Sequence, residues 1–188
     1  MVYGFSRPPS CSNGASAARA AAFTWAGSTS GRRAATSTAC AAALSAVHPF
    51  EVEGGENPYS IQSDLQESMN DLVGIIRTGP ELEESLTTIE AFKERAKSMK
   101  VEGHRQYNPG WHLALDLTNM LVVSECIAKA ALEREESRGG HTRDDYPKPD
   151  DRWGALNLVL TLPDGETVDL KHQPLPVMPE DLKVLFDQ

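Results

Sequence analysis

A chain of 188 residues can hold one ordinary domain with a real core, and a formal charge of −9 argues against nucleic acid or an anionic membrane surface as the main partner. Its three cysteines, Cys11, Cys40 and Cys126, show no metal-ligand spacing, and so the default reading is a reduced, intracellular compartment. The most apolar run, Leu113 to Leu132, is interrupted by Asp116, Glu125 and Lys129, so no direct membrane insertion is expected.

Charge divides the chain. Residues 1–50 contain Arg7, Arg19, Arg32 and Arg33 but no lysine and no acid, whereas the remainder is strongly acidic. Residues 1–47 are a low-complexity segment rich in Ala, Ser, Gly, Thr and Arg, with too little apolar area to offset chain entropy. A transit peptide, a disordered tail and a misassigned start all fit this composition. Ala34 to Ala46 is expected to be partly helical, since alanine favours helix. Residues 48–188 form the second unit.

From His48 to Pro58 the chain reads as an extended connector with Gly54-Gly55 as a turn. Asn57-Pro58 then opens a helix whose stripe is Ile61, Leu65, Met69, Leu72, Val73 and Ile76, and Thr78-Gly79 is expected to end it. Pro80 starts a second helix with Glu81, Glu83 and Glu84 in its first turn. Its stripe is Leu82, Leu86, Ile89, Phe92, Ala96 and Met99, and Lys93, Arg95, Lys97 and Lys100 suit its C-terminal dipole. After an irregular turn over Val101 to Gln106, Asn108-Pro109 caps and opens the longest helix. Leu113, Leu117, Met120, Leu121, Ser124, Ile127 and Ala131 mark its buried face, and it should end near Arg134, with Gly139-Gly140 as the stop. Short connections imply an antiparallel three-helix bundle.

Beyond the helices, Leu156 to Leu162 alternates like a strand, Pro163-Asp164-Gly165-Glu166 is a turn, and Thr167 to Lys171 should return as the second strand. Pro174, Pro176 and Pro179 keep the tail extended, and Glu180 to Phe186 is expected to form a last helical turn. The fold class is therefore mainly α: an antiparallel three-helix bundle with a small C-terminal β-hairpin and an irregular N-terminal segment.

The segment SRGGHTRDDYP, Ser137 to Pro147, crowds charge into a short loop. A His–Asp general base or an Arg–Asp fork for a carboxylate is one reading of His141, Arg143, Asp144 and Asp145. The preferred reading is structural, with Arg138 and Arg143 paired to nearby acids. The loop then docks the domain on a neighbour, and Ser137, Arg138, His141, Arg143 and Asp145 are the candidate docking residues. His104, Arg105, His112 and His172 read as ordinary surface or hydrogen-bonded groups. His104 and His112 are eight apart across a helix start, unlike a zinc-binding pair. Trp111 and Trp153 flank the loop and are expected to pack together beneath it. Gly54-Gly55 and Gly139-Gly140 lack the strand–glycine loop–helix context of a dinucleotide site. No catalytic, metal or cofactor-binding residue is assigned.

YNPGWHLALDLTNML, Tyr107 to Leu121, followed by ESRGGHTRDDYP, Glu136 to Pro147, resembles the C-terminal helical domain of succinate dehydrogenase and fumarate reductase flavoprotein subunits. The likeness extends upstream to GGENPY, Gly54 to Tyr59, and downstream to Trp153. L-Aspartate oxidase shares a similar loop, but LDLTNML is more similar to the succinate dehydrogenase branch. The resemblance implies a complete subunit that is FAD-dependent, interconverts succinate and fumarate, and passes electrons to an iron–sulfur subunit at the inner, cytoplasmic face of a membrane. It also implies that the flavin-binding domain and the catalytic residues lie upstream of this chain's matching region. Nothing like that domain occurs in residues 1–47, so the segment reads as a misassigned or truncated start. This chain alone is expected to bind no FAD. A stand-alone helical interaction module is the rival reading.

Overall fold

The computed structural model describes residues 39–165 and 167–183. The fold is mainly helical, with a small antiparallel strand pair. Residues 1–38 of the low-complexity segment lie outside the described residues; residues 39–47 are helical, here called α1. The carbonyl of Ala46 accepts from the Trp111 indole N–H at 2.6 Å, and the Phe50 and Trp111 rings meet edge to face at 5.6 Å.

Helix α2 spans Pro58–Leu72, and its Asn57 cap accepts from the Tyr59 N–H at 2.9 Å. It stops before Ile76, four residues short of the expected stripe. Val73 is its C-cap, and at Gly74 a Cβ would meet the Asn70 carbonyl at 2.8 Å. After a bend over residues 73–75, β-branched Ile76 enters an extended backbone and is 64% exposed. Ile76–Arg77 forms strand β1, which pairs in parallel with β2, Thr142–Arg143. Helix α3, Gly79–Ala96, begins at once in a capping box in which Thr78 and Glu81 satisfy each other's backbone N–H.

Between α3 and the next helix, Met99 and Val101 are buried although neither is helical. The connector folds back on this reversal: Lys100 N–H donates to Glu56 at 2.8 Å and Val101 N–H to Pro49 at 2.8 Å. Helix α4, Pro109–Glu133, starts where Asn108 accepts from the Trp111 N–H at 3.1 Å. Its buried residues are Ala114, Leu117, Leu121, Ser124, Glu125, Ala128 and Ala131. Ile127, expected inside, is 46% exposed, and Leu113 and Met120 are only half-buried. The buried face is thus rotated from the expected one, and small Ala128 lets α4 approach its neighbours where Ile127 was expected.

Helices α2, α3 and α4 each pack against the other two, around Ile61, Leu65, Leu82, Ile89, Leu117 and Leu121. Glu125 is only 8% exposed because Lys93 of α3 reaches it at 2.5 Å and Lys129 at 2.6 Å. Lys129 also donates to the Val168 carbonyl at 3.2 Å, which ties the strand pair to α4. The basic end expected for α3 therefore serves as cross-bracing. Arg95 likewise pairs with Glu56 and Asp64.

A short helix, α5, covers Asp151–Gly154. Strand β3, Leu156–Thr161, then pairs antiparallel with β4, Asp169–Pro174. The second strand runs later than expected, because the turn widens. Gly165 adopts φ +81, and Asp164 accepts from the Thr167 N–H at 2.7 Å, which keeps Thr167 and Val168 out of the ladder. Pro174 closes β4 rather than opening the tail; a proline at a strand's end costs little pairing, and Leu175 N–H donates to Ala155 at 3.0 Å. Helix α6 is Glu180–Lys183, and residues 184–188 lie outside the described set.

Trp111 and Trp153 do not meet. Trp111 sits in the first turn of α4 against Phe50, whereas Trp153 lies edge to face with His172 at 5.4 Å and under Arg134, past the last turn. A helix of 25 residues separates them.

Candidate functional site

The charged loop is an elbow that begins where α4 ends. The helix stops at Glu133, six residues before Gly139, so the glycine pair does not terminate it. Gly139, at φ +60, and Gly140 instead form a tight reversal in which Arg138 and His141 exchange backbone hydrogen bonds of 2.8 and 3.1 Å. What ends α4 is side-chain chemistry from further along.

Arg143, 2% exposed, donates from Nη1 to the carbonyls of Ala131 and Leu132, each at 2.9 Å. These are orphan acceptors of the helix C-terminus, where the dipole favours a cation. Its other edge forks onto Asp145 at 2.7 and 2.6 Å. Asp145 in turn accepts from the Gly79 N–H at 2.9 Å, at the start of α3, where the dipole favours an anion. One ion pair therefore joins the end of α4 to the beginning of α3. The Arg143 guanidinium, followed by the Gly79 N–H, holds the Asp145 carboxyl down at about 2, against burial.

Glu136 is fully buried. It pairs with Arg134, accepts from Arg138 Nε at 3.1 Å and from the Asp150 N–H at 2.8 Å. Burial alone would raise its carboxyl; the hydrogen bonds from Arg138, the Asp150 N–H and Arg134 outweigh it and hold it below its ordinary value. Ser137 Oγ donates to the Tyr146 carbonyl at 2.8 Å and accepts from the Arg143 N–H at 2.9 Å.

His141 completes the elbow. Its Nε2 lies 3.0 Å from the Arg134 carbonyl and must carry the proton, which leaves Nδ1 to accept from Arg77 Nη2 at 2.9 Å. The ring is therefore neutral. Burial, with Arg77, Arg134 and Arg143 nearby, holds it below its ordinary value of 6.5.

The five candidate residues thus share one elbow, and their polar groups bond largely to each other and to the helix ends. No His–Asp pair of the general-base type forms, because both His141 nitrogens are engaged elsewhere. Sequence reasoning missed Glu136, Arg77 and Asp150. Glu136 carried one legible signal, arginines two residues to either side, Arg134 and Arg138. Arg77 carried none. Cys126 is half-buried, and burial pushes its thiol up, which suits a packed rather than a reactive group. Among the described residues no group of three His, Cys, Asp or Glu side chains could hold a metal ion, and no helix is long and apolar enough to cross a membrane.

The family model "Fumarate reductase flavoprotein C-term" matches residues 62–184. The chain belongs to this family. The fumarate reductase flavoprotein subunit of Helicobacter pylori strain J99 is 35% identical over 137 residues, which cover 71% of this chain and 19% of that protein. The Mycobacterium tuberculosis H37Rv subunit of the same name is 35% identical over 126 residues, or 66% and 22%. Among solved structures, the apo Sdh1 complex of Mycobacterium smegmatis superposes with a TM-score of 0.74 at 47% identity, covering 80% of this chain and 26% of that chain. The E. coli quinol fumarate reductase FrdA shares the fold, at a TM-score of 0.65 and 21% identity. The chain spans about a fifth of the length of the curated relatives it matches.

The flavoprotein name implies FAD in the full-length subunit. The described residues do not fit that group. Gly139-Gly140 turns into a strand rather than a helix, and an added Cβ at either glycine meets nothing within 4 Å, so no close approach is reserved there. At Gly55 the space is already taken, with the Ser98 carbonyl 2.1 Å from a built Cβ. An open groove of about 730 Å³ between α1, α3 and α4 is lined by Glu90, Lys93, Glu94, Leu115 and Asn119, with no glycine-rich turn leading into a helix.

Proposed function

We propose that this chain is the C-terminal helical domain of a succinate dehydrogenase or fumarate reductase flavoprotein, an antiparallel three-helix bundle that braces the flavin-binding part of the subunit. The observation that carries this reading is the match of residues 62–184 to the family, together with 47% identity to the M. smegmatis Sdh1 chain, of which this chain covers 26%. The complete subunit binds FAD, interconverts succinate and fumarate, and hands electrons to an iron–sulfur subunit. It sits peripherally at the inner, cytoplasmic face of the membrane. Within it, the elbow from Ser137 to Pro147 docks on the flavin-binding part, and Ser137, Arg138, His141, Arg143 and Asp145 fix its shape. Residues 48–188 make up that domain, and residues 1–47 are the low-complexity segment before it, whose Ala46 carbonyl accepts from the Trp111 indole N–H.

Alone, the chain is structural. Purified protein is expected to show no flavin absorbance band and no succinate-dependent dye reduction; either signal would overturn the reading. A second reading, a stand-alone interaction module, draws on the internal satisfaction of the elbow's charges. Dye binding separates the two. A domain parted from its subunit exposes apolar area and binds hydrophobic dye, whereas a self-contained module does not.

A further inference from the structure

We infer that the lip formed by Ile75, Ile76 and Arg77, beside the elbow, is a second contact through which this domain meets the rest of its subunit, with the Arg77 guanidinium receiving a carboxylate set in an otherwise apolar surface. The inference rests on the reading of the chain as one domain of a larger flavoprotein.

Arg77 is the guanidinium that the elbow leaves incomplete. Arg95, Arg134, Arg138, Arg143 and Arg152 are each paired with a carboxylate. Half-buried Arg77, by contrast, has no carboxylate partner among the described residues, and its charged neighbour is another cation, Arg143. Its Nη2 meets the neutral ring of His141, its Nη1 reaches the Val73 carbonyl only at 3.4 Å, and its buried Nε–H has no acceptor. A cation withdrawn from water without a counter-ion is unfavourable, so the isolated domain is electrostatically unfinished at this point.

The residues beside it are apolar and outward. Ile75 is 76% exposed and Ile76 is 64% exposed; Ile76 lies in β1, which pairing with β2 holds in place, and Ile75 is the bend that leads into it. The adjoining turn at Gly139-Gly140 presents no side chain that would keep a partner away. Apolar side chains around an under-paired arginine are the composition of an interface centre. The occupant is the part of the same subunit that this chain lacks, since the chain covers 26% of the M. smegmatis Sdh1 chain.

The test grafts this chain, in place of the matching region, into the flavoprotein subunit of the M. smegmatis Sdh1 complex, and compares amide hydrogen exchange with that of the isolated 188-residue chain. Exchange at Ile75 to Arg77 is expected to be at least ten-fold slower in the assembled graft. Ile76→Asp and Arg77→Ala, each compared with its own isolated chain, lose that protection. Arg77→Lys keeps part of it because the charge survives. Tyr107→Asn, at a 99% exposed residue before the first turn of α4, leaves it unchanged. Ile76→Asp is the fold-neutral arm, because its side chain lies outside the core. A graft that assembles but shows no protection at Ile75 to Arg77, or keeps it in Ile76→Asp and Arg77→Ala, overturns the lip and leaves the domain reading standing. Failure of the wild-type graft to assemble overturns both.

Discussion

The interior between the helices and the elbow beyond α4 are equally withdrawn from water, yet they cohere by different means. Between the helices the largest buried side chains are Ile61, Leu82, Ile89, Leu117 and Leu121, none more than 2% exposed. In the elbow, Glu136 at 0% and Arg143 at 2% are as deeply placed, and both carry full charges. Apolar packing depends on volume and has little directional demand, so it tolerates replacement by a side chain of similar size. The elbow depends on donors and acceptors at fixed positions, so removing one member strands the others.

The largest effect is expected in the helix interior. Leu117→Ala should destabilise the chain by about 4 kcal/mol in urea denaturation, whereas Leu117→Met should cost under about 1.5 kcal/mol. A similar loss from both would break the claim that volume alone matters there. Glu136→Ala comes next, at about 3 kcal/mol, because Arg134, Arg138 and the Asp150 N–H lose their acceptor together. If that variant unfolded at the wild-type urea midpoint, the elbow would be ornament on an apolar core. A cap lies outside both regions and is a useful scale: Asn108→Ala should cost about 1 kcal/mol by the same measurement.

The smallest effect separates the regions by pH. His141 and Asp145 are both held below their ordinary values, so the folded state binds protons less readily than the unfolded chain. Their contribution is present at neutral pH and lost on acidification: for His141 as the pH drops below 6.5, and for Asp145 from 3.8 towards about 2. Thermal melts across this range should show a first decline that disappears in His141→Ala. The apolar interior contributes nothing to that slope.

Most of the helical framework was legible because caps and periodicity are local. Asn57-Pro58 and Asn108-Pro109 start their helices where the sequence indicates, and α3 begins one residue before the expected Pro80, with Thr78, read only as an ending, serving as its cap. The ends were harder. Periodicity carried α2 through Ile76, because nothing local reveals that β2, some 66 residues away, pairs with this segment. The elbow was legible as a charged, glycine-turned loop with Arg–acid pairs, but the pairings themselves were not. Asp145 to Gly79, His141 to Arg77 and Arg143 to Ala131 join positions whose proximity only the packed helices create. The rotation of α4 about its axis was lost for a related reason. Ile127 and Ala128 are both compatible with an apolar face, and neighbouring helices choose between them.

The Arg143–Asp145 bridge also has a polarity. Its positive member faces the carbonyl end of one helix and its negative member faces the amide end of another. Exchanging the two residues would keep a bridge of the same composition while presenting each helix with the sign it repels. Orientation is thus written into this pair in a way that a count of ion pairs cannot register, and a rearranged sequence with identical charge would meet two mismatched helix ends at once.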